Sequence, residues 1–302
     1  MTPPAGSGQD PGAASAVAPA KINLFLLIGE KRADGYHPVC SLMEKVTLND
    51  AISIRRTGRP GVRLLGTSIP APQNTVFRAA AALEQEAGIE LDIEVTLEKR
   101  IPEAAGLAGG SSDAAAVLRL LDRMYSLSLP PDRLKRLALG IGADVPFFLE
   151  PGPQLAEGTG ELLASPGELP WYHAVIVKPE AGLSTAEVYE LYDAVSPDHA
   201  AAFPRRRQEL LAALAKVGGS SEALASILVN DLELPAQRLF PELPQIKREL
   251  ESLGAAGALM SGSGTSVFAV FAGEKEASTA FERLEGTYAG AWLVHPARGK
   301  GE

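Results

Sequence analysis

Between residues 89 and 125 the chain passes from strand to glycine loop to helix, and this passage constrains its fold more than any other stretch. From Ile89 to Glu98 apolar and polar residues alternate without a break: Ile89, Leu91, Ile93, Val95 and Leu97 against Glu90, Asp92, Glu94, Thr96 and Glu98. A period of two predicts a half-buried strand with a solvated acidic face. Lys99-Arg100 then lead into Ile-Pro-Glu-Ala-Ala-Gly-Leu-Ala-Gly-Gly-Ser-Ser-Asp-Ala-Ala-Ala at residues 101–116. Gly106, Gly109 and Gly110 carry no Cβ, so backbone N–H groups there can approach a ligand closely. A helix predicted over Ser112–Tyr125, with Val117, Leu118, Leu121 and Met124 as core contacts, adds unpaired N–H donors and a positive dipole end. The combination is an anion cradle suited to phosphate. Of Ser111 and Ser112, one is placed to cap the helix and the other to face a phosphate or a magnesium ion. The loop is not a Walker A sequence, because no Lys-Ser or Lys-Thr follows its last glycine. Its Gly-x-x-Gly-Gly spacing is not the dinucleotide fingerprint either.

The remaining elements follow from similar signals. Ala20–Ile28 reads as a strand, followed by a turn at Ala33-Asp34-Gly35. Val39–Val46 and Ala51–Arg55 read as two further strands divided by an Asn49-Asp50 turn. Asn74 is an N-cap for a helix over Thr75–Ala87 closed by Gly88, and Pro130-Pro131-Asp132 opens another that ends at Gly140 or Gly142. After the Pro151-Gly152-Pro153 cluster and a loose stretch from Gly158 to Pro170 come a strand over Trp171–Val177 and several helices between Thr185 and Leu253. Strands over Gly257–Met260, Val267–Phe271 and Ala291–His295 follow, with a helix over Glu274–Leu284 between the last two. Such alternation predicts an α+β chain with a helix-backed, largely antiparallel sheet. The Pro/Gly-rich break places an N-terminal domain at residues 18–168 and a C-terminal domain at 169–297.

At 302 residues with 46% hydrophobic and 22% charged composition, the chain can bury a sizeable core. A net charge of −9 argues against a nucleic-acid surface and sets an unfavourable overall field for an anionic substrate. The single Cys40 excludes an intramolecular disulfide and a cysteine-rich zinc site. No apolar run reaches the roughly 18 residues of a membrane span. Residues 1–19 are rich in Pro, Gly, Ala and Ser and lack the basic and apolar regions of a signal peptide. Residues 1–17 are therefore expected to be a disordered tail and 298–302 a loose one. A cytoplasmic monomer or homodimer, with no nucleic-acid or membrane partner, is the expected setting.

Polar residues in apolar surroundings are the candidates for chemistry. Lys21 and Asn23 share one face of an otherwise apolar strand. A lysine there must be paired or reach water, and both a snorkelling and a functional reading stand on these residues alone. Asp144, within Gly140-Ile-Gly-Ala-Asp-Val-Pro-Phe-Phe-Leu149, is either a turn residue or a carboxylate placed to accept a proton from a hydroxyl. Gly262-Ser-Gly-Thr265 is a plain turn or a second backbone segment lying over a ligand. Tyr36, His37 and Tyr189 flank turn and helix-start signals. The four histidines lack metal-ligand spacing.

Three segments in this order resemble the GHMP kinases, the group named for galactokinase, homoserine kinase, mevalonate kinase and phosphomevalonate kinase. They are Ala18-Pro-Ala-Lys-Ile-Asn23, Pro102-Glu-Ala-Ala-Gly-Leu-Ala-Gly-Gly-Ser-Ser112 and Met260-Ser-Gly-Ser-Gly-Thr265. Further segments are similar to the branch of the group that phosphorylates the 2-hydroxyl of a cytidine diphosphate-linked methylerythritol in non-mevalonate isoprenoid precursor synthesis. These are Lys21-Ile-Asn-Leu-Phe-Leu, Arg32-Ala-Asp-Gly-Tyr-His37, Gly142-Ala-Asp-Val-Pro-Phe147, Leu183-Ser-Thr-Ala-Glu-Val-Tyr189 and Asn230-Asp-Leu-Glu233.

The resemblance implies a small-molecule kinase using ATP and Mg2+. It also implies two lobes, an N-terminal one like the second domain of ribosomal protein S5 and a ferredoxin-like C-terminal one. Pro102, Glu103, Ala104, Ala105, Gly106, Leu107, Ala108, Gly109, Gly110, Ser111 and Ser112 would wrap the ATP phosphates, with Ser111 or Ser112 near the metal. Asn74 and Lys99 would border the nucleotide. Lys21 and Asp144 fall at the catalytic positions, Asp144 to accept the hydroxyl proton and Lys21 to orient the hydroxyl. Tyr36 and Tyr189 would sandwich the cytosine, His37 would read its polar edge, and Asn23 and Thr185 would hydrogen-bond the substrate. Three departures stand out: Thr159 replaces the usual arginine in Gly158-Thr-Gly-Glu161, Ala108 replaces a glycine, and Thr265 follows Ser-Gly-Ser-Gly.

Overall fold

The computed structural model describes residues 12–298. The described residues form two compact units, one from 12–18, Asn49–Arg100 and Gly110–Leu149, the other from Pro19–Leu48, Ile101–Gly109 and 150–298. Two long strands, β1 (Ala13–Ile28) and β2 (Val39–Arg56), run through the boundary.

In the first unit the end of β2 pairs antiparallel with a strand on one side of a second, parallel pair. These are β3 (Gly61–Leu65), followed by α1 (Thr75–Ala87), and β4 (Asp92–Glu98). The helices α2 (Gly109–Met124), α3 (Pro131–Ile141) and α4 (Val145–Leu149) complete it. Helix α1 has the expected limits: Asn74 Oδ1 accepts the Val76 N–H at 2.8 Å and Gly88 closes the helix in the left-handed region, φ 62°. Val117, Leu118 and Leu121 are buried on α2 as the helical spacing requires.

Three expectations fail in this unit, the first two because a charge has found a partner on another part of the chain. Asn49-Asp50 is not a turn, and β2 continues through it. The Asp50 carboxylate is fully buried and accepts the Lys99 ammonium and, at 2.5 Å, the Arg100 N–H. The acidic face of β4 is solvated only at its ends, where Glu90 and Glu98 are exposed: Glu94 is buried against Arg55 and Arg63, and Asp92 binds Arg56 and the Tyr125 hydroxyl. Helix α2 starts at Gly109, so Ser111 and Ser112 lie inside its first turn and neither caps it.

In the second unit the start of β2 pairs with β5 (Gln154–Glu157), which forms a hairpin with β6 (Leu162–Ala164) inside the stretch read as loose. A second sheet follows the β-α-β-β-α-β pattern. Its first strand, β7 (His173–Lys178), leads into α5 (Thr185–Val195), α6 (Pro197–Ala201), α7 (Phe203–Leu214) and α8 (Ser221–Ala225). The chain then passes through β8 (Val229–Asn230), α9 (Glu233–Leu239) and α10 (Leu243–Ser252) to β9 (Gly257–Met260) and β10 (Val267–Phe271). It ends with α11 (Glu274–Leu284) and β11 (Gly290–Val294). The order β11-β7-β10-β9, antiparallel throughout, is the 4-1-3-2 arrangement of a ferredoxin-like sheet. Strand β8 pairs instead with β1, parallel. β1 is buried on both faces because it serves two cores, Phe25 and Leu27 packing in one and Leu26 and Ile28 in the other.

The predicted tails shorten. Ala13–Val17, expected in a disordered tail, belong to β1, and residues 1–11 and 299–302 lie outside the described residues. Arg298 is held: its Nε donates to the buried Glu44 at 2.7 Å and its Nη atoms to the Leu169 and Pro170 carbonyls. The Tyr172 hydroxyl completes the Glu44 site at 3.0 Å. Among the described residues no helix is long and apolar enough to cross a membrane. Arg298→Ala would strand a buried carboxylate, so it should lower unfolding free energy by about 3 kcal/mol. Urea denaturation checks this, and a loss of only a few tenths would mean that the pair is effectively solvated.

Candidate active site

The glycine loop is held by its carbonyls. Ala105 O accepts the Ser266 N–H at 3.3 Å, Gly106 O the Ser261 hydroxyl at 3.0 Å, and Leu107 O the Lys21 N–H at 3.1 Å. Among the described residues, the N–H groups of Ala105 to Ala108 donate to no protein acceptor. Three carbonyls tied to protein with the intervening N–H groups left over is the arrangement an anion cradle needs. Gly106 adopts φ 73°, and a Cβ there would collide with the Ser261 carbonyl. Ala108 also sits in the left-handed region, φ 55°, which suits the glycine it replaces and costs an alanine roughly 1 kcal/mol. Helix α2 then begins at Gly109, and the carbonyl of Gly110 in its first turn accepts the Thr75 hydroxyl at 2.6 Å.

Lys21 and Asn23 are both about 4% exposed on β1. The Lys21 ammonium donates to Asn23 Oδ1 at 2.5 Å, and Asn23 Nδ2 donates to the Ser41 hydroxyl at 2.8 Å. Gly262 lies against this pair, a Cβ on it falling 3.3 Å from Lys21 Nζ and 3.4 Å from Asn23 Oδ1. The Gly262 turn is fixed from behind by Asn230, whose Nδ2 donates to the Met260 and Gly262 carbonyls, both at 2.8 Å. Thus the second glycine segment is not a plain turn. It touches both the lysine and the first glycine loop.

A third group pairs His37 with Tyr189, with Tyr36 beside His37 in the chain and Thr185 on the same helix as Tyr189. Tyr36 is 65% exposed. His37 is buried, with Nδ1 on the Gly29 carbonyl at 2.9 Å and Nε2 facing Asp193 at 3.3 Å, while Asp193 also receives Lys31. The His37 ring centroid lies 5.5 Å from that of Tyr189. Thr185, one helical turn before Tyr189 on α5, bonds the Ser263 hydroxyl at 2.8 Å. At the arginine-free position, the Thr159 hydroxyl and N–H both donate to Glu161.

In the first unit Asn74 is the cap of α1, and its Nδ2 also reaches Thr67 at 3.2 Å. Asp144 is partly buried immediately before α4. Lys99 lies between Asp50 and Asp113, bonded to both, at 2.6 Å for Asp113. Burial pushes the Asp113 carboxyl from an ordinary 3.8 up to about 7, against the pull of Lys99 and with a push from Asp50. Asp113 Oδ1 and Ser112 Oγ are enclosed without a hydrogen-bond partner. Asp113, Ser41 and Asp193 were not singled out from sequence, Asp50 was read only as part of a turn, and Asn230 stood out only as the head of the Asn230-Asp-Leu-Glu233 segment. A carboxylate directly after the paired serines, in an alanine run, was the one signal available for Asp113.

Residues 74–152 match the family described as GHMP kinases N terminal domain, and residues 200–290 match GHMP kinases C terminal. A 4-diphosphocytidyl-2-C-methyl-D-erythritol kinase from Geobacter metallireducens is 39% identical over 284 residues, 93% of this chain and 96% of that protein. A crystal structure of 4-(cytidine 5'-diphospho)-2C-methyl-D-erythritol kinase is 37% identical with a TM-score of 0.79, covering 95% of this chain and 100% of the other. Homoserine kinase from Cytophaga hutchinsonii shares the fold at 20% identity, with a TM-score of 0.73 over 98% of both chains.

Because the raised Asp113 carboxyl is protonated in the fold and ionised once unfolded, its contribution to stability is full below pH 4 and fades as pH rises to about 7. Asp113→Asn imitates the protonated form. Its stability relative to the unaltered chain should therefore improve between pH 5 and pH 8 in urea titrations, and a difference independent of pH would contradict the raised pKa.

Proposed function

Since the chain belongs to the GHMP kinase family, we propose that it transfers the γ-phosphoryl group of ATP to the 2-hydroxyl of 4-diphosphocytidyl-2-C-methyl-D-erythritol. The reaction is a step of non-mevalonate isoprenoid precursor biosynthesis. The observation that carries this reading is the anchoring of Lys21 on the phosphate loop, through its own N–H on the Leu107 carbonyl. The names of the 37–41% identical relatives support the acceptor.

In this reading residues 102–112 hold the ATP phosphates, chiefly through backbone dipoles, with Asn74 and Lys99 bordering the nucleotide. The Asp144 carboxylate takes the proton of the acceptor hydroxyl. That oxygen attacks the γ-phosphorus, and ADP leaves with the electrons of the broken bond. Lys21 favours the developing negative charge on the hydroxyl oxygen. Asn23 and Thr185 orient the acceptor, and Tyr36 and Tyr189 stack on the cytosine, worth roughly 1–3 kcal/mol per base. His37 reads the base edge, and its backbone N–H and carbonyl, which make no hydrogen bond among the described residues, suit a pyrimidine edge.

No cluster of acidic, histidine or cysteine residues among the described ones could hold a metal by itself. A magnesium ion carried mainly by phosphate oxygens needs no such cage. The partly exposed Ser111 hydroxyl and the unpartnered Ser112 Oγ fit the supporting role. When bound, the ion supplies charge neutralisation on the phosphates. The proposal includes the domain division at 168/169, on either side of which the two family matches fall, a cytoplasmic location and a monomeric or homodimeric state.

A coupled ADP-release assay decides the acceptor: turnover is expected with the cytidyl substrate, whereas turnover only with mevalonate or homoserine would reassign it. Asp144→Asn should lower kcat by about 10³-fold with ATP binding retained. Retained activity would leave Asp144 a structural residue. Tyr36→Ala should chiefly raise the KM for the cytidyl substrate by roughly tenfold or more, and an unchanged KM would remove Tyr36 from the cytosine site.

A further inference from the structure

Lys21 and Asn23 sit at one end of a buried hydrogen-bond chain that continues into β2. Asn23 Nδ2 donates to Ser41 Oγ at 2.8 Å, and Ser41 Oγ donates onward to the Phe25 carbonyl at 2.9 Å. All the side chains involved are 4% exposed or less.

The direction of this chain follows from the number of protons available. A serine hydroxyl has one hydrogen. Here it goes to a backbone carbonyl, which can only accept. The hydroxyl oxygen is left as an acceptor, so only the NH2 end of the Asn23 amide can face it. The other end, Oδ1, must then point at the Lys21 ammonium, and it does so at 2.5 Å. Ser41 thereby selects between the two amide orientations, which are otherwise nearly equal in shape. In the reversed orientation NH2 would face the ammonium, donor against donor. Gly262 packs against the same pair, so closely that a Cβ on it would fall 3.3 Å from Lys21 Nζ.

We propose that Ser41 is a positioning residue for phosphoryl transfer. By fixing the orientation of the Asn23 amide it holds the Lys21 ammonium at the place where the acceptor hydroxyl reacts. The proposal rests on the catalytic reading of Lys21. The partners of the Ser41 hydroxyl are Asn23 and the Phe25 carbonyl, so in this proposal it acts through Asn23, and its loss falls on turnover more than on nucleotide binding.

Ser41→Thr and Ser41→Val test this as a pair, since their side chains have nearly the same volume and differ in whether a hydroxyl is present. Ser41→Thr should keep kcat within about threefold of the unaltered protein, while Ser41→Val should lower it by about 30-fold, a lost buried hydrogen bond expressed as a rate. The KM for ATP should change by less than about twofold in both, because the phosphate loop is held by other bonds. Equal kcat for the two variants would overturn the proposal, as would a loss in Ser41→Val that falls on the KM for ATP.

Should Ser41→Val fail to fold, the smaller Ser41→Ala carries the same expectation. Side-chain amide exchange of Asn23, followed by NMR, reads the chain of bonds without turnover. One NH2 proton should be protected in the unaltered protein and in Ser41→Thr, and unprotected in the variants lacking a hydroxyl. Absence of turnover by the unaltered protein would refute the assigned reaction, and protection that does not depend on the hydroxyl would refute the role of Ser41.

Discussion

The carbonyl groups of Ala105, Gly106 and Leu107 each bind a protein donor, and the site is organised around that constraint. A glycine-containing loop is conformationally expensive to order. Tying three successive oxygens to β1 and to the 261–266 turn removes most of that freedom, and it leaves the N–H dipoles as the groups still able to bind. The left-handed turns at Ala104, Gly106 and Ala108 are the conformational consequence. Because the Gly106 carbonyl meets the Ser261 hydroxyl, the late Ser-Gly-Ser-Gly segment is part of the loop's support. Asn230, which holds that segment, belongs to the same construction.

Electrostatics explains why backbone dipoles suit this chain. Its net charge of −9 opposes an anionic ligand. In the first unit Lys99 is matched by two carboxylates, one of them with its pKa raised towards neutrality by burial. N–H groups at the start of a helix carry partial positive charge without a counterion to neutralise it. The glycine loop can therefore attract an anion without a cationic side chain of its own.

Elements with a clean local period were legible in the sequence. Helices α1 and α11 and strands β9 and β10 have the expected limits, because caps, glycines and alternation all act within a few residues. The continuity of β2 was not legible. Asn49-Asp50 has the composition of a turn, and Asp50 is tolerable inside a strand because the distant Lys99 ammonium and Arg100 N–H bind it. Glu94 on β4 was misread for the same reason, its arginine partners lying on neighbouring strands. In the candidate site, Lys21, Asn23 and the glycines were visible because polar or Cβ-free residues are unusual in such surroundings. Ser41 gave no comparable signal, and Asn230 stood out only within the Asn230-Asp-Leu-Glu233 segment. A serine within an apolar strand is common, and what distinguishes this one is where its single proton goes.

Strand β2 carries Ser41 near one end and Asp50 near the other, registered against β5 at Ser41↔Ala156 and against β4 at Ala51↔Glu98. Side chains alternate along a strand, so deleting or inserting one residue between these two points would turn one of them to the opposite face while its partner strand stayed in place. Either the amide beside Lys21 or the carboxylate beneath Lys99 would then be lost. Many substitutions within residues 42–49 can be absorbed by repacking, but the number of residues there cannot change by one. For this segment, length is a stricter requirement than identity.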